Sequence, residues 1–180
     1  MGTEIEKKYR LTREGQGLLL ERLREVGAAR QGEEEFEVNT LYAGNGLNAR
    51  ASILRLRRTQ SRAVFTYKER LPSTSAVKRR REDETEVKDA DALAAILDAL
   101  GYKPALIYEK RRTTWHVASV EVVVDVLPFG LFMEIEGEED AILKAEQLLG
   151  LAETKAEPAS YPELTTRHGV ERDGVIESRF

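Results

Sequence analysis

Three short segments of this chain alternate charged and apolar residues with the period of a β-strand. They are Glu4-Ile5-Glu6-Lys7-Lys8, Leu54-Arg55-Leu56-Arg57 and Met133-Glu134-Ile135-Glu136. Because alternate residues of a strand share a face, each segment predicts one apolar face and one charged face. A single strand of this kind normally exposes its charges to water. Several such strands carrying both signs favour another arrangement, in which the charged faces surround an enclosed polar space.

The rest of the chain supplies enough predicted strands to build that enclosure. Strands are predicted at about 3–11, 36–42, 51–58, 62–70, 78–88, 105–115, 117–126 and 131–137, helices over 13–26, 90–100 and 139–149, and a short helix near Tyr161. Gly44-Asn45-Gly46 predicts a turn and Pro72-Ser73-Thr74-Ser75 a loop. Short connections favour antiparallel pairing, and eight such strands can close around side chains or one small ligand. The predicted fold is therefore α+β, an eight-stranded antiparallel β-barrel with flanking helices.

The charge balance and length restrict the class of protein. The chain has 180 residues, which suits one domain with an appendage at most, and its 28 Lys and Arg against 32 Asp and Glu give a net charge of -4. This balance argues against a nucleic-acid partner, since such domains are usually basic. Neither a membrane span nor a secretory signal is visible, so we expect a cytoplasmic protein without a membrane partner.

The predicted barrel interior gathers charged side chains from distant segments. These are Glu4, Glu6, Lys8, Arg55, Arg57, Lys68, Lys110, Arg112, Asp125, Glu134, Glu136 and part of segment 80–86. Carboxylate oxygens are natural ligands of Mg²⁺ or Mn²⁺, whereas Arg and Lys bind phosphate oxygens. Cysteine is absent and only two histidines are present, which excludes thiolate metal sites and disfavours a zinc site. The interior therefore suits a polyanion, such as a triphosphate, together with a divalent metal.

An ordered series of motifs resembles the CYTH family, also called triphosphate tunnel metalloenzymes. Glu4-Ile5-Glu6-Lys7-Lys8 resembles the family's N-terminal Glu-x-Glu-x-Lys strand. In order, the further matches are Leu54-Arg55-Leu56-Arg57, Thr66-Tyr67-Lys68, Arg80-Arg81-Glu82-Asp83-Glu84, Glu109-Lys110-Arg111-Arg112, Asp125 with segment 130–136, and Ser160-Tyr161-Pro162-Glu163-Leu164. One departure is Asn39, where related sequences often carry Asp. The resemblance implies a CYTH domain over 1–168 and leaves a C-terminal tail, 169–180, without a role.

The resemblance also implies roles for individual residues. Triphosphate would be bound by Lys8, Arg55, Arg57, Lys68, Arg80, Lys110 and Arg112. The metal, Mg²⁺ or Mn²⁺, would be held by Glu4, Glu6, Glu134 and Glu136, with Glu84 and Asp125 as further contributors. The residues expected to carry catalysis are Glu4, Glu6, Lys8, Arg57 and Lys110. The register of strand 78–88 stays open at this point, because both of its faces are charged.

Three functions fit such an interior. The first is a metal-dependent triphosphatase acting on tripolyphosphate, ATP or thiamine triphosphate. The second is a class IV adenylate cyclase-like enzyme, which converts ATP to cyclic AMP and pyrophosphate in the same barrel. The third is a non-catalytic polyphosphate- or nucleotide-binding module, against which the metal-ligating acids argue. Helices on the outside of the barrel would also permit a homodimer.

Overall fold

Strands dominate the computed structural model, which describes residues 2–44, 46–47, 52–71 and 78–180, with the side chains of 2–4, 70, 78 and 79 excepted. The strands are β1 (Gly2–Leu11), β2 (Ala29–Ala43), β3 (Ser52–Arg58), β4 (Ala63–Arg70), β5 (Lys78–Val87), β6 (Lys103–Val117), β7 (Val120–Leu127), β8 (Gly130–Glu136), β9 (Val170–Arg172) and β10 (Val175–Ser178). The helices are α1 (Arg13–Glu25), α2 (Ala90–Ala99), α3 (Glu139–Leu148) and α4 (Tyr161–His168). None of the described helices is long and apolar enough to cross a membrane.

The first eight strands form the antiparallel barrel that the sequence predicts. Their hydrogen-bonded order is β2-β3-β4-β5-β1-β8-β7-β6, and β2 also pairs with β6, so the pairing returns to its starting strand. Every one of these pairs is antiparallel. The α+β barrel with flanking helices is therefore confirmed.

The outward faces of the strands bury their apolar side chains under the helices. Met133 and Ile135 of β8 are fully buried in a cluster with Leu23 of α1 and Ile142 of α3. On the other side of the barrel, Leu54 and Leu56 of β3 form a second cluster with Leu97 of α2, and Phe65 and Tyr67 of β4 pack against it. Because alternation sends the apolar residues outward, the charged residues between them point into the barrel.

Local signals fix where the helices begin. The Thr12 hydroxyl accepts a hydrogen bond from the Gly15 amide at the start of α1, and the Asp89 carboxylate caps α2 in the same way. Ser160 and Glu163 form a capping box at the start of α4. Such caps satisfy backbone N–H groups that have no partner within the helix.

Several elements extend beyond their predicted bounds. β2 begins at Ala29, well before the predicted start near Phe36, and β6 continues to Val117 before a tight turn in which Ala118 has a positive φ of 51°. β9 and β10 were not predicted at all, because they have only three and four residues. Asn45 of the predicted turn Gly44-Asn45-Gly46 lies outside the described residues, as does the predicted loop at 72–75.

Candidate active site

One cavity of about 820 Å³ lies inside the barrel and is lined mainly by charged side chains. From the predicted interior set, Glu6, Lys8, Arg55, Arg57, Lys68, Arg80, Glu84, Lys110, Arg112, Glu134 and Glu136 all line it. Residues more than 100 positions apart in sequence meet there because strand pairing places them in register, as with Lys8 opposite Glu134 and Glu6 opposite Glu136. The structure thus brings together nearly all of the residues that the sequence predicted to converge.

Three carboxylates in this cavity form a compact acidic group. One oxygen from each of Glu6, Glu134 and Glu136 lies within 4.8 Å of the others, and Glu6 and Glu134 are buried. This is the donor chemistry that Mg²⁺ and Mn²⁺ prefer, so the residues present fit a divalent ion. Burial alone would raise the pKa of Glu134, but Lys8 and Arg112 outweigh it and hold that pKa well below its ordinary value. Glu134 therefore stays ionised, as a metal ligand must be.

Cations already compensate this acidic group. Lys8 Nζ lies 3.2 Å from Glu134, and an Arg112 Nη atom donates to the same carboxylate at 2.9 Å. Arg80 Nη1 lies 3.4 Å from Glu6. Buried charges of one sign are costly unless opposite charges accompany them. The cations predicted to bind phosphate therefore also form ion pairs with the carboxylates predicted to bind the metal.

Asp125 is fully buried and is the centre of a second network, which shares Arg112 with the acidic group. Arg112 donates to both of its oxygens at 2.7 and 2.6 Å, and the Tyr161 hydroxyl donates at 2.7 Å. Lys110 Nζ lies 3.5 Å away. Burial alone would lower the pKa of Arg112, but Asp125 outweighs it and raises that pKa well above its ordinary value. Asp125 therefore orients two cations, while its predicted role as a metal ligand stays a prediction.

Glu37 is a buried acid that the sequence interpretation overlooked. It is fully buried on β2, its carboxylate lies 3.4 Å from Lys110, and the Asn39 amide donates to it at 3.1 Å. Burial alone would raise the pKa of Glu37, but Lys110 and Arg112 outweigh it and lower that pKa to about 2. The signal was present in the sequence, because residues 35, 37, 39 and 41 must share the face opposite the apolar one.

The cations of β3 and β4 form the remaining wall of the site. Arg57 lies 3.3 Å from Glu84, Arg55 donates to Thr66 at 3.4 Å, and Lys68 lies 3.2 Å from Glu82. Buried Arg55 Nε has no hydrogen-bond partner among the described residues. A buried donor without an acceptor is costly.

The register of β5 follows from these contacts. Arg80, Glu82 and Glu84 line the cavity, whereas Arg81 and Asp83 pair with each other at 2.8 Å, away from its lining residues. Glu84 engages the arginines of β3 rather than the acidic group, and its predicted metal role is untested. The Glu4 side chain lies outside the described part of the chain.

Comparison with known proteins agrees with this architecture. The CYTH domain family model matches residues 2–168. The PH1819 protein of Pyrococcus horikoshii OT3 is 29% identical, with 91% of this chain and 98% of that chain covered and a TM-score of 0.73. The PH1012 protein of the same organism is 27% identical, with 89% and 98% covered and a TM-score of 0.76.

A third similar structure is less alike in sequence. HpAC1 from Hippeastrum, an adenylyl cyclase candidate described as having a dominant triphosphatase activity, is 20% identical, with 89% of this chain and 93% of that chain covered and a TM-score of 0.67. At this identity the likeness shows the fold alone. No curated protein sequence matches the chain significantly.

Proposed function

This chain belongs to the CYTH domain family, and on that premise we propose that it is a metal-dependent triphosphatase acting on a small triphosphate inside its barrel. The observation that carries the proposal is the sharing of one cavity by an acidic group suited to a divalent ion and by cations from β1, β3, β4, β5 and β6. In a pure anion-binding module, the converging carboxylates of Glu6, Glu134 and Glu136 would repel the bound anion. The likeness to HpAC1 supports the fold on which this site is built.

The cations have a direct role in this proposal. Arg55 and Arg57 present forked donors that match phosphate oxygens, and Lys8, Lys68 and Lys110 supply compact charges. In the absence of phosphate, nearby carboxylates hold them in the cavity, as the Lys68–Glu82 and Arg57–Glu84 pairs show. Positioning and charge compensation are most of what phosphoryl transfer requires from a protein.

Glu6, Glu134 and Glu136 would hold the metal. When bound there, Mg²⁺ or Mn²⁺ supplies positive charge that polarises phosphoryl oxygens and lowers the pKa of coordinated water. In the hydrolysis, a water oxygen bonds to the terminal phosphorus, the bridging P–O bond breaks, and the water gives up a proton to the solvent. Orthophosphate and the remaining diphosphate then leave, and Arg57 and Lys110 offset the charge that develops on the leaving oxygen.

The test is phosphate release from tripolyphosphate, ATP and thiamine triphosphate with Mg²⁺ and Mn²⁺. We expect orthophosphate from at least one of them. Glu6→Gln should lower kcat by roughly 100-fold or more, and Lys8→Ala should chiefly raise KM. Glu25→Gln, at an exposed site on α1, is the matched control and should leave both constants unchanged.

The same assay separates the alternatives. Cyclic AMP with pyrophosphate from ATP would show that the protein is a cyclase and not a triphosphatase. Binding of these substrates without turnover of any of the three would show that it is a binding module. If Glu6→Gln retained full turnover, the metal assignment would be wrong.

A further inference from the structure

The C-terminal tail, which the family match does not include, is built into the barrel wall. β9 and β10 form an antiparallel hairpin, and β10 pairs in parallel with residues 106–108 of β6. β7 pairs with residues 111–117 of the same strand. Because β6 pairs with β2 along almost its whole length, β10 takes the edge that β7 leaves open. The hairpin therefore closes a gap in the sheet.

The end of the tail is fastened by side chains. Arg179 Nη1 and the Phe180 amide both donate to the Glu109 carboxylate, at 3.0 and 2.9 Å. The Phe180 ring lies 6.3 Å from the ring of Phe36, and Arg111 lies 5.3 Å from the Phe180 ring. These contacts join Arg179 and Phe180 to β2 and β6. The tail therefore cannot detach from the barrel without breaking several of these contacts.

Gly169 joins the tail to α4 at a position where a side chain does not fit. Its amide donates to the Thr165 carbonyl at 2.7 Å. A Cβ atom at this position would lie 2.7 Å from the Thr165 carbonyl oxygen and 2.8 Å from that of Glu177. Both atoms belong to the backbone and cannot move independently of α4 and β10. The helix and the hairpin are therefore packed against each other as one unit.

The first residue of α4 lies among the cations of the site. The Tyr161 ring is 3.8 Å from Lys8 Nζ and 5.4 Å from Lys110 Nζ. Its hydroxyl donates to Asp125, which in turn orients Arg112. Burial and the Asp125 charge raise the pKa of Tyr161, so this hydroxyl stays a donor. Tyr161 is 6% exposed and lines the cavity, so its position affects how much water reaches these cations.

We propose that the C-terminal hairpin is a clasp that holds α4 against the barrel and thereby positions Tyr161 over the phosphate-binding cations. The clasp residues, Gly169 and Glu109 above all, act through Tyr161 and touch no substrate themselves. Loss of the clasp lets α4 shift, breaks the hydrogen bond from Tyr161 to Asp125 and admits water beside Lys8 and Lys110. Water screens the attraction between these cations and phosphate, so affinity falls. This inference rests on the proposed function only in taking phosphate as the ligand.

The experiment measures tripolyphosphate binding by calorimetry in the full-length protein without added metal, so that turnover plays no part. Gly169→Ala and Glu109→Gln should each weaken binding on the order of tenfold. Hydrogen exchange should show faster exchange for amides 161–168 in both variants, with the β3 and β4 amides unchanged. Gly17→Ala is the matched control, because a Cβ there meets nothing within 4 Å. It should alter neither property.

A double-mutant cycle distinguishes positioning from general destabilisation. Tyr161→Ala removes both the ring and the hydrogen bond to Asp125, and it should weaken binding by itself. If the clasp acts through Tyr161, adding Glu109→Gln to Tyr161→Ala should weaken binding further by less than twofold. Fully multiplied effects, or unchanged binding in Glu109→Gln, would overturn the proposal. Binding that follows the predicted pattern without any phosphate release would instead reject the triphosphatase and keep the clasp.

Discussion

The ionisation of Glu37 should make the free energy of unfolding depend on pH. Its pKa is about 2 in the folded protein, below the ordinary value of about 4.3 for an unfolded chain. A depressed pKa stabilises the fold above the unfolded value, and that stabilisation is lost as the pH falls toward 2. Glu37→Gln should therefore lower the free energy of unfolding by about 3 kcal/mol at pH 7, with the deficit shrinking between about pH 4.5 and 2. Urea denaturation across this range measures it.

The control lies on the same strand. Glu33 is 98% exposed at its side chain, so Glu33→Gln should change the free energy of unfolding by less than about 0.5 kcal/mol at any pH. A deficit for Glu37→Gln that stays constant with pH would mean that Glu37 stabilises by packing and not by charge.

At the scale of one element, α3 should contribute stability without affecting the site. Ile142 is fully buried against β8, whereas its neighbour Leu143 is 50% exposed. Ile142→Ala removes buried methyl groups and should cost about 2–4 kcal/mol, while Leu143→Ala should cost well under half of that. KM for the triphosphate should be the same in both variants, because α3 packs on the outside of the barrel. Thermal melts and steady-state kinetics check this pair, and a raised KM in Ile142→Ala alone would contradict it.

The elements also show how far local patterns reach. The alternation in β1, β3 and β8 was enough to predict both their strands and their inward residues, because a buried face imposes period two on the sequence. The β9–β10 hairpin also had a sequence signal, the Asp173-Gly174 dipeptide, which favours a hairpin turn. In the structure both residues adopt the positive φ of such a turn, at 52° and 79°. What local pattern could not supply is the contact of Tyr161 with Asp125. That contact depends on how α4 crosses the barrel, and no spacing within α4 encodes it.

For the whole molecule, the cavity is best understood as two charge sets that neutralise each other. Lys8 and Arg112 pair with Glu134, and Arg80 pairs with Glu6. The cations that would bind phosphate therefore also neutralise the carboxylates that would bind the metal. A polyanion that draws these cations away leaves the acidic group with uncompensated charge. A divalent ion then replaces the lost compensation. Neither ligand alone restores this balance.

Metal and triphosphate should therefore bind cooperatively. We expect Mg²⁺ to bind at least roughly tenfold more tightly when the cavity holds a triphosphate analogue with imido bridges, and the analogue to gain the same factor from Mg²⁺. Titration calorimetry in both orders of addition measures the coupling, after correction for the complex that the two ligands form in solution. Arg80→Ala removes one cation beside Glu6 and should strengthen Mg²⁺ binding to the empty barrel, reducing the coupling. The exposed Arg22→Ala on α1 should leave the coupling intact. Independent binding of the two ligands would show that the triphosphate does not draw the cations away from the acidic group.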